Sequence, residues 1–233
     1  MPAPHACTIA SNNYLALARV FAESYKKHHP EAEVYVCIAD RPDADVPYGK
    51  MPFVPIFASE LGIPNFENFA FRYDILELNT AVKPFLLAQL RDRLGLDRVL
   101  CFDPDILVLS RLDELERLLE THPAILTPHI TRGLSDAYIP SERDIRMAGI
   151  YNLGFVGLRL DASTRSFLEW WQERLYRFCL NDIRNGIFVD QGWMDFAPAF
   201  LEDVAVARSP AYNVAYWNLA HRQLEKVDEQ WRV

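Results

Sequence analysis

Arg98-Val-Leu-Cys-Phe-Asp-Pro-Asp-Ile-Leu-Val-Leu109 is the stretch from which the rest of the chain is read. A short apolar run, Val99 to Phe102, stops at Asp103-Pro104-Asp105, and a second run, Ile106 to Leu109, follows at once. Runs this short and rich in β-branched residues fit buried strands better than helices. Pro104 has no N–H to give to a sheet ladder, so the bend belongs at a strand end. In extended backbone, side chains two residues apart leave on the same side, which brings the carboxylates of Asp103 and Asp105 together. Two bare carboxylates repel, and the pattern therefore calls for a cation. Mg²⁺ or Mn²⁺ takes oxygen ligands, often only one or two of them carboxylates, and fills its shell with phosphate oxygens. A plainer reading stands beside this one: D-P-D is also a common turn, with Asp bonding its own backbone and Pro presetting φ.

Working outward, Ala6 to Ala10 reads as a first strand that ends in Ser11-Asn12-Asn13. Tyr14, Leu17, Phe21 and Tyr25 are spaced as one face of a helix running to His28, and Pro30 closes it. Val34 to Ala39 is a second buried strand, closed by Asp40. Strand, helix and strand in this order make a βαβ unit, hence a parallel sheet with helices on its faces. Ligands of such sheets sit outside the carboxyl ends of the strands. Those ends carry Ser11 to Asn13, Asp40 and Asp103 to Asp105.

Five prolines between Arg41 and Pro64 predict a loop with one short strand near Phe53 to Phe57. Helical spacing resumes from Asn65 to Leu78, and Thr80 can cap a further helix that tolerates Pro84 and stops at Gly95. Lys83, in that helix's first turn, reads by position alone as a solvated surface charge. Ser110 to Asp113 resembles a capping box for a helix over 112–120. Ala124 to Thr127 is another strand. Residues 128–149 read as a long loop, which in a compact domain serves as a lid or binding loop or is simply mobile. Ile150 to Leu160 is a strand with two glycines, and Ala162 to Cys179 a long helix whose Trp170 and Trp171 read as packing. Asp190 reads by default as a helix N-cap. Val204 to Ala207 is the last clear strand.

The composition is ordinarily globular, with 50% hydrophobic and 24% charged residues. A net charge of −8 argues against a nucleic-acid binder, which needs Lys and Arg to neutralise phosphates. Four cysteines without C-x-x-C spacing read as reduced core residues. No apolar run suits a membrane span and the first residues lack signal-peptide features, so a soluble, cytoplasmic protein is expected.

Taken together, the motifs resemble the GT-A fold nucleotide-sugar glycosyltransferases, most closely glycosyltransferase family 8, the group of glycogenin and bacterial lipopolysaccharide hexosyltransferases. Four segments carry the resemblance in order: Thr8 to Tyr14, Phe102-Asp-Pro-Asp105 as the D-x-D motif, Tyr151-Asn-Leu-Gly154, and Val189-Asp-Gln191. The resemblance implies an α/β fold with a mixed, mostly parallel sheet flanked by helices, over residues 1–233 as one domain. It implies transfer of a hexose, with retention, from a nucleotide sugar of the UDP-sugar kind to a saccharide or lipid-linked, lipopolysaccharide-type acceptor, at most peripherally associated with a membrane. Ala10, Ser11 and Asn13 would contact uridine and ribose, with Asp40 a weaker candidate. Asp103 and Asp105 would ligate Mn²⁺ or Mg²⁺, and Lys83 would lie near the diphosphate or sugar. Asn152 and Gly154 would face the sugar, Asp190 its hydroxyls, and Gln191 the anomeric carbon. The chain departs from the family pattern at Ser11, where many relatives carry aspartate, and lacks the C-terminal His-x-x-Gly that supplies a third metal ligand. Part of a longer polypeptide, or an incomplete metal shell, is the corresponding expectation.

Two other readings compete. A nucleotide-sugar-binding module without turnover would keep the fold. Phe102 to Val108 also resembles the nucleophile motif of haloacid-dehalogenase-type phosphatases, but that chemistry needs a later lysine, and only Lys226 follows Asp105.

Overall fold

A computed structural model describes residues 4–135, 137–228 and 230–233. Strand β1 (His5–Ala10) leads through a 3₁₀ turn at Asn12–Tyr14 into α1 (Leu15–His28), which returns to β2 (Val34–Ile38). Both strands are buried almost throughout, as strands covered on two faces must be. Helix α1 turns Leu15, Ala18, Phe21, Ala22 and Tyr25 to the sheet, while Lys26, Lys27 and His28 lie at its negative end. After β3 (Val54–Phe57) come α2 (Phe66–Arg72), α3 (Ile75–Ala81) and α4 (Lys83–Leu94), then β4 (Arg98–Phe102). The remainder runs α5 (Asp113–Thr121), β5 (Ala124–Pro128), α6 (Glu142–Ala148), β6 (Tyr151–Arg159) and α7 (Ala162–Phe178). Short elements finish the chain: β7 (Asn181–Asp182), β8 (Ile187–Phe188), α8 (Gln191–Met194), α9 (Ala197–Phe200), β9 (Ala205–Val206), β10 (Glu225–Val227) and β11 (Gln230–Arg232).

Seven strands form the main sheet in the order β3-β2-β1-β4-β6-β5-β9. Pairing is parallel from β3 to β4 and between β5 and β9, and antiparallel on both sides of β6. Successive strand residues point to opposite faces, so Ala6 and Cys7 belong to different cores. One core packs α3, α4 and α7 on the sheet through Leu86, Leu87, Leu90, Leu168 and Trp171. The other packs α1 and α5 through Phe21, Tyr25, Leu115 and Leu119. The order reverses at β1: β2 and β3 lie on one side of it and β4 on the other. The carboxyl ends of β1 and β4 therefore flank a crevice, the position where open α/β sheets bind ligands.

Several expectations are corrected. Ile106 to Leu109 is not a strand: the chain turns at Pro104-Asp105, and Val108 gives its N–H to the Ser24 hydroxyl at 3.1 Å instead of to the sheet. The helix expected over 65–78 is two helices, separated where Tyr73 is extended and Asp74 and Glu77 form a capping box. Thr80 caps nothing; it lies inside α3 and its hydroxyl bonds Leu76 O at 2.9 Å. Helix α5 lacks the expected side-chain cap. The segment 128–149 contains α6, closed at its start by a Ser141/Asp144 capping box. The β10–β11 hairpin has no counterpart in the sequence reading. All four cysteines are free and buried, as expected. Among the described residues no helix is long and apolar enough to cross a membrane.

Candidate active site

A cavity of about 310 Å³ opens at the β1/β4 crevice, walled by Ala10, Ser11 and Asn13 from β1 and its loop and by Asp103, Pro104 and Asp105 from β4. Ile9, Tyr14, Ile75, Leu76, Asn79, Thr80 and Lys83 complete the wall. Ile9, Tyr14, Ile75, Leu76, Asn79 and Thr80 were not expected as site residues, although Ile9 and Tyr14 lie in the Thr8 to Tyr14 segment. No local signal marks Asn79, whose partner Ser11 lies 68 residues away in the chain. Its amide donates to the Ser11 hydroxyl at 2.8 Å, tying α3 to the β1 loop.

Lys83 is buried, 2% exposed, which overturns the surface reading. The start of α4 is buried throughout, from Lys83 to Leu87, so the side chain enters the protein instead of leaving it. Its ammonium lies 2.5 Å from Oδ2 of Asp190, 3.1 Å from the Leu153 carbonyl and 4.0 Å from Oδ1 of Asp103. Burial alone works against its charge, but Asp190 and Asp103 outweigh burial and raise its pKa, so the ammonium stays protonated. Burial pushes the Asp190 carboxyl above its ordinary range, against the pull of Lys83. Asp190 occupies the N-cap position of α8, yet its side chain caps nothing there and spends itself on Lys83.

Asp103 stands at the edge of this pair. Desolvation in the cleft raises its carboxyl to about 6; Lys83 opposes the rise, and the charges of Asp190 and Asp105 add to it. Its N–H donates to Gly154 O at 2.9 Å, which fixes the end of β4 to β6. Two carboxylates thus share one ammonium, and the charge of Asp105 acts on Asp103 beside them, an arrangement short of positive charge. Among the described residues no group of three His, Cys, Asp or Glu side chains is placed to enclose a metal. Asp103 and Asp105, both on the cavity wall, offer carboxylate oxygens of the kind Mg²⁺ and Mn²⁺ accept when phosphate and water supply the rest. The donor set fits such an ion.

Asn152, Gly154, Asp190 and Gln191 do not wall this cavity but adjoin it through Lys83 and Asp103. Asn152 Oδ1 accepts the Gly154 N–H at 3.0 Å, and a Cβ at Gly154 would come within 2.6 Å of that oxygen. The amide of Gln191 is engaged at both ends: Oε1 accepts from Leu153 N at 3.2 Å and Asn152 Nδ2 at 3.4 Å, and Nε2 donates to Ala148 O at 2.9 Å. Gly149, at φ 116°, lets the chain pass Gln191 where a Cβ would meet its Cγ at 3.1 Å and its backbone carbonyl at 3.2 Å. Asp40 does not reach the cavity. It accepts the Asn12 N–H at 2.6 Å and borders a separate recess with Ser59, Phe66 and Phe71.

No protein-family model matches the chain. It is similar to the uncharacterized protein YfnF of Bacillus subtilis (strain 168), 28% identical over 227 residues, covering 91% of this chain and 71% of that protein. Among solved structures it resembles the glycosyltransferase GlyE of Streptococcus pneumoniae TIGR4, with TM-score 0.58 and 14% identity over 91% of this chain. The galactosyltransferase LgtC, solved with donor and acceptor sugar analogues, gives TM-score 0.52 and 18% identity over 88% of this chain and 74% of that one. Mouse xyloside xylosyltransferase 1 gives TM-score 0.52 and 13% identity, covering 88% and 84%. The fold is that of the GT-A glycosyltransferases. The chain spans 47% of the length of GlyE, so these likenesses speak for the shared fold and not for any whole protein's activity.

Proposed function

We propose that this chain is a metal-dependent glycosyltransferase that moves a hexose, with retention, from a UDP-sugar to a saccharide or lipid-linked acceptor. One observation carries the reading above all: a lysine buried between Asp190 and Asp103 at the switch-point crevice of a GT-A fold. Breaking a glycosyl–phosphate bond leaves charge on the departing diphosphate and oxocarbenium-like character on the sugar. Preorganised charge at those two places is what lowers such a barrier.

Asp103 and Asp105 would hold Mn²⁺ or Mg²⁺, which when bound neutralises diphosphate charge as a Lewis acid. Lys83, with its ammonium kept protonated, stands ready to share that duty while orienting Asp190 toward the sugar hydroxyls. Ala10, Ser11 and Asn13 would take the nucleoside, with Tyr14, Ile75 and Leu76 giving the cavity an apolar side. Asn152 and Gly154 would line the sugar position. The bonds on Gln191 support a role in holding the 148–153 backbone beside the sugar, and oppose its use as a free nucleophile. The 128–149 segment, joined to Gln191 through Ala148, would shape the acceptor site.

Lys83, the cation beside Asp103, precedes the D-P-D turn. The phosphatase reading asks for a lysine after it and gains no support. The test is release of UDP from a panel of UDP-sugars, with and without candidate acceptors. Turnover abolished by Asp105→Asn supports a transferase, whereas binding of UDP-sugar without any turnover would make the chain a binding module.

A further inference from the structure

His129, just past the end of β5, took no part in the sequence reading, yet it is joined to the sugar side of the site by directional hydrogen bonds. The residue is 7% exposed. Its Nδ1 lies 3.2 Å from the Ile150 carbonyl, and a carbonyl can only accept, so Nδ1 carries the proton. Nε2 is then a bare lone pair, 3.1 Å from Asn152 Nδ2, which donates to it. Asn152 Oδ1 is thereby turned to the Gly154 N–H, and the same Nδ2 reaches Gln191 Oε1. Backbone groups that cannot reverse their polarity close both ends: the Ile150 carbonyl at one, the Leu153 N–H and Ala148 carbonyl at the other. Each amide in the chain accordingly has one allowed orientation.

The support behind His129 is also specific. Trp217 packs against the ring at 5.6 Å, edge to face, and the fully buried Asn218 donates to the His129 carbonyl at 3.1 Å. Packing alone would be served by any flat ring at this position. What an apolar ring could not supply is the lone pair facing Asn152.

We infer that His129 is a positioning residue of the transfer reaction: its Nε2 lone pair fixes the Asn152 amide, and through it Gln191, at the sugar position. This rests on the glycosyltransferase reading above. His129→Phe keeps a flat ring against Trp217 and removes the lone pair. His129→Gln offers a carbonyl oxygen near the place of Nε2. In steady-state transfer, His129→Phe should lower kcat on the order of 10- to 100-fold, the scale of a misplaced site group, with donor KM within about twofold. His129→Gln should recover most of the loss. A His129→Phe enzyme with undiminished kcat, or a His129→Gln enzyme as impaired as the Phe variant, would overturn the inference.

A second readout needs no turnover. In nitrogen NMR of the labelled wild-type protein, the resonance lost in His129→Phe identifies His129 among six histidines. It should show a protonated Nδ1 and a bare Nε2 at neutral pH. A proton on Nε2 would refute the arrangement even if no UDP-sugar is ever turned over, so failure of this inference is distinct from failure of the transferase reading.

Discussion

The ammonium of Lys83 lies 2.5 Å from Oδ2 of Asp190, and each side chain is only 3% exposed. They come from the first turn of one helix and the start of another, with β6 between them contributing the Leu153 carbonyl to the same ammonium. Burying two charges is costly unless both find partners, and this pair is anchored in three elements at once.

Removing one member should therefore hurt stability before it hurts catalysis. Lys83→Met leaves the Asp190 carboxylate buried alone, a defect of about 3–5 kcal/mol. Urea unfolding should show that loss, and adding Asp190→Leu to Lys83→Met should return much of it. Equal midpoints for Lys83→Met and wild type would show that the pair is not closed in solution.

Asp103 gives the site a pH dependence with a definite sign. Its folded carboxyl titrates near 6, above the unfolded value of about 3.9. The raised group favours the folded state fully below the unfolded pKa, and that contribution is lost as pH rises through the folded one. Without metal, melting temperature should fall between about pH 4 and pH 6 through this group, and Asp103→Asn should flatten that part of the profile. Mn²⁺ should restore stability above pH 6 and weaken below it, where a proton competes. Thermal melts of the two proteins across this range, with and without Mn²⁺, measure each part.

Gly154→Ala places a methyl 2.6 Å from Asn152 Oδ1, closer than side-chain atoms approach one another. Asn152 must then give up either the Gly154 N–H or its bond to His129. The expected stability cost is about 1–3 kcal/mol, the range for overpacked sites, with a loss of kcat larger than that cost implies. Denaturant titration beside steady-state kinetics separates the two effects.

Asp40→Ala tests a residue the structure moves away from the cavity. Its carboxylate accepts the Asn12 N–H at 2.6 Å, and Asn12 begins the turn that presents Asn13. Loosening that turn should weaken donor binding by about 1 kcal/mol, roughly fivefold in Kd. Direct contact with the nucleoside would cost much more, and a loss of hundredfold would restore that role to Asp40.

The β1–α1–β2 unit and β4 are legible because their signals are local: short apolar runs, a helical stripe, Pro30 and Pro104 as punctuation. The D-P-D turn is legible for the same reason, although Ile106 to Leu109 shows how an apolar run can serve as irregular backbone when Ser24 on another helix takes its N–H. What could not be read is what depends on long-range pairing. Nothing near Tyr151 announces that β6 enters antiparallel between β4 and β5, and that insertion is what brings Leu153 to Lys83 and Gly154 to Asp103. Lys83 looked like surface because its neighbours in sequence are silent about Asp190. His129 and Asn79 were missed for the same reason, since both act through residues far along the chain.

The central claim is a donor site built on Asp103 and Asp105 at the β1/β4 crevice. Calorimetric titration of UDP into the protein, with Mn²⁺ and then with chelator, tests it most directly. The account predicts binding that requires the metal and disappears in Asp103→Asn. Equal binding after chelation, or no heat at UDP concentrations of about 1 mM, a level that registers even contacts of about 4 kcal/mol, would contradict it.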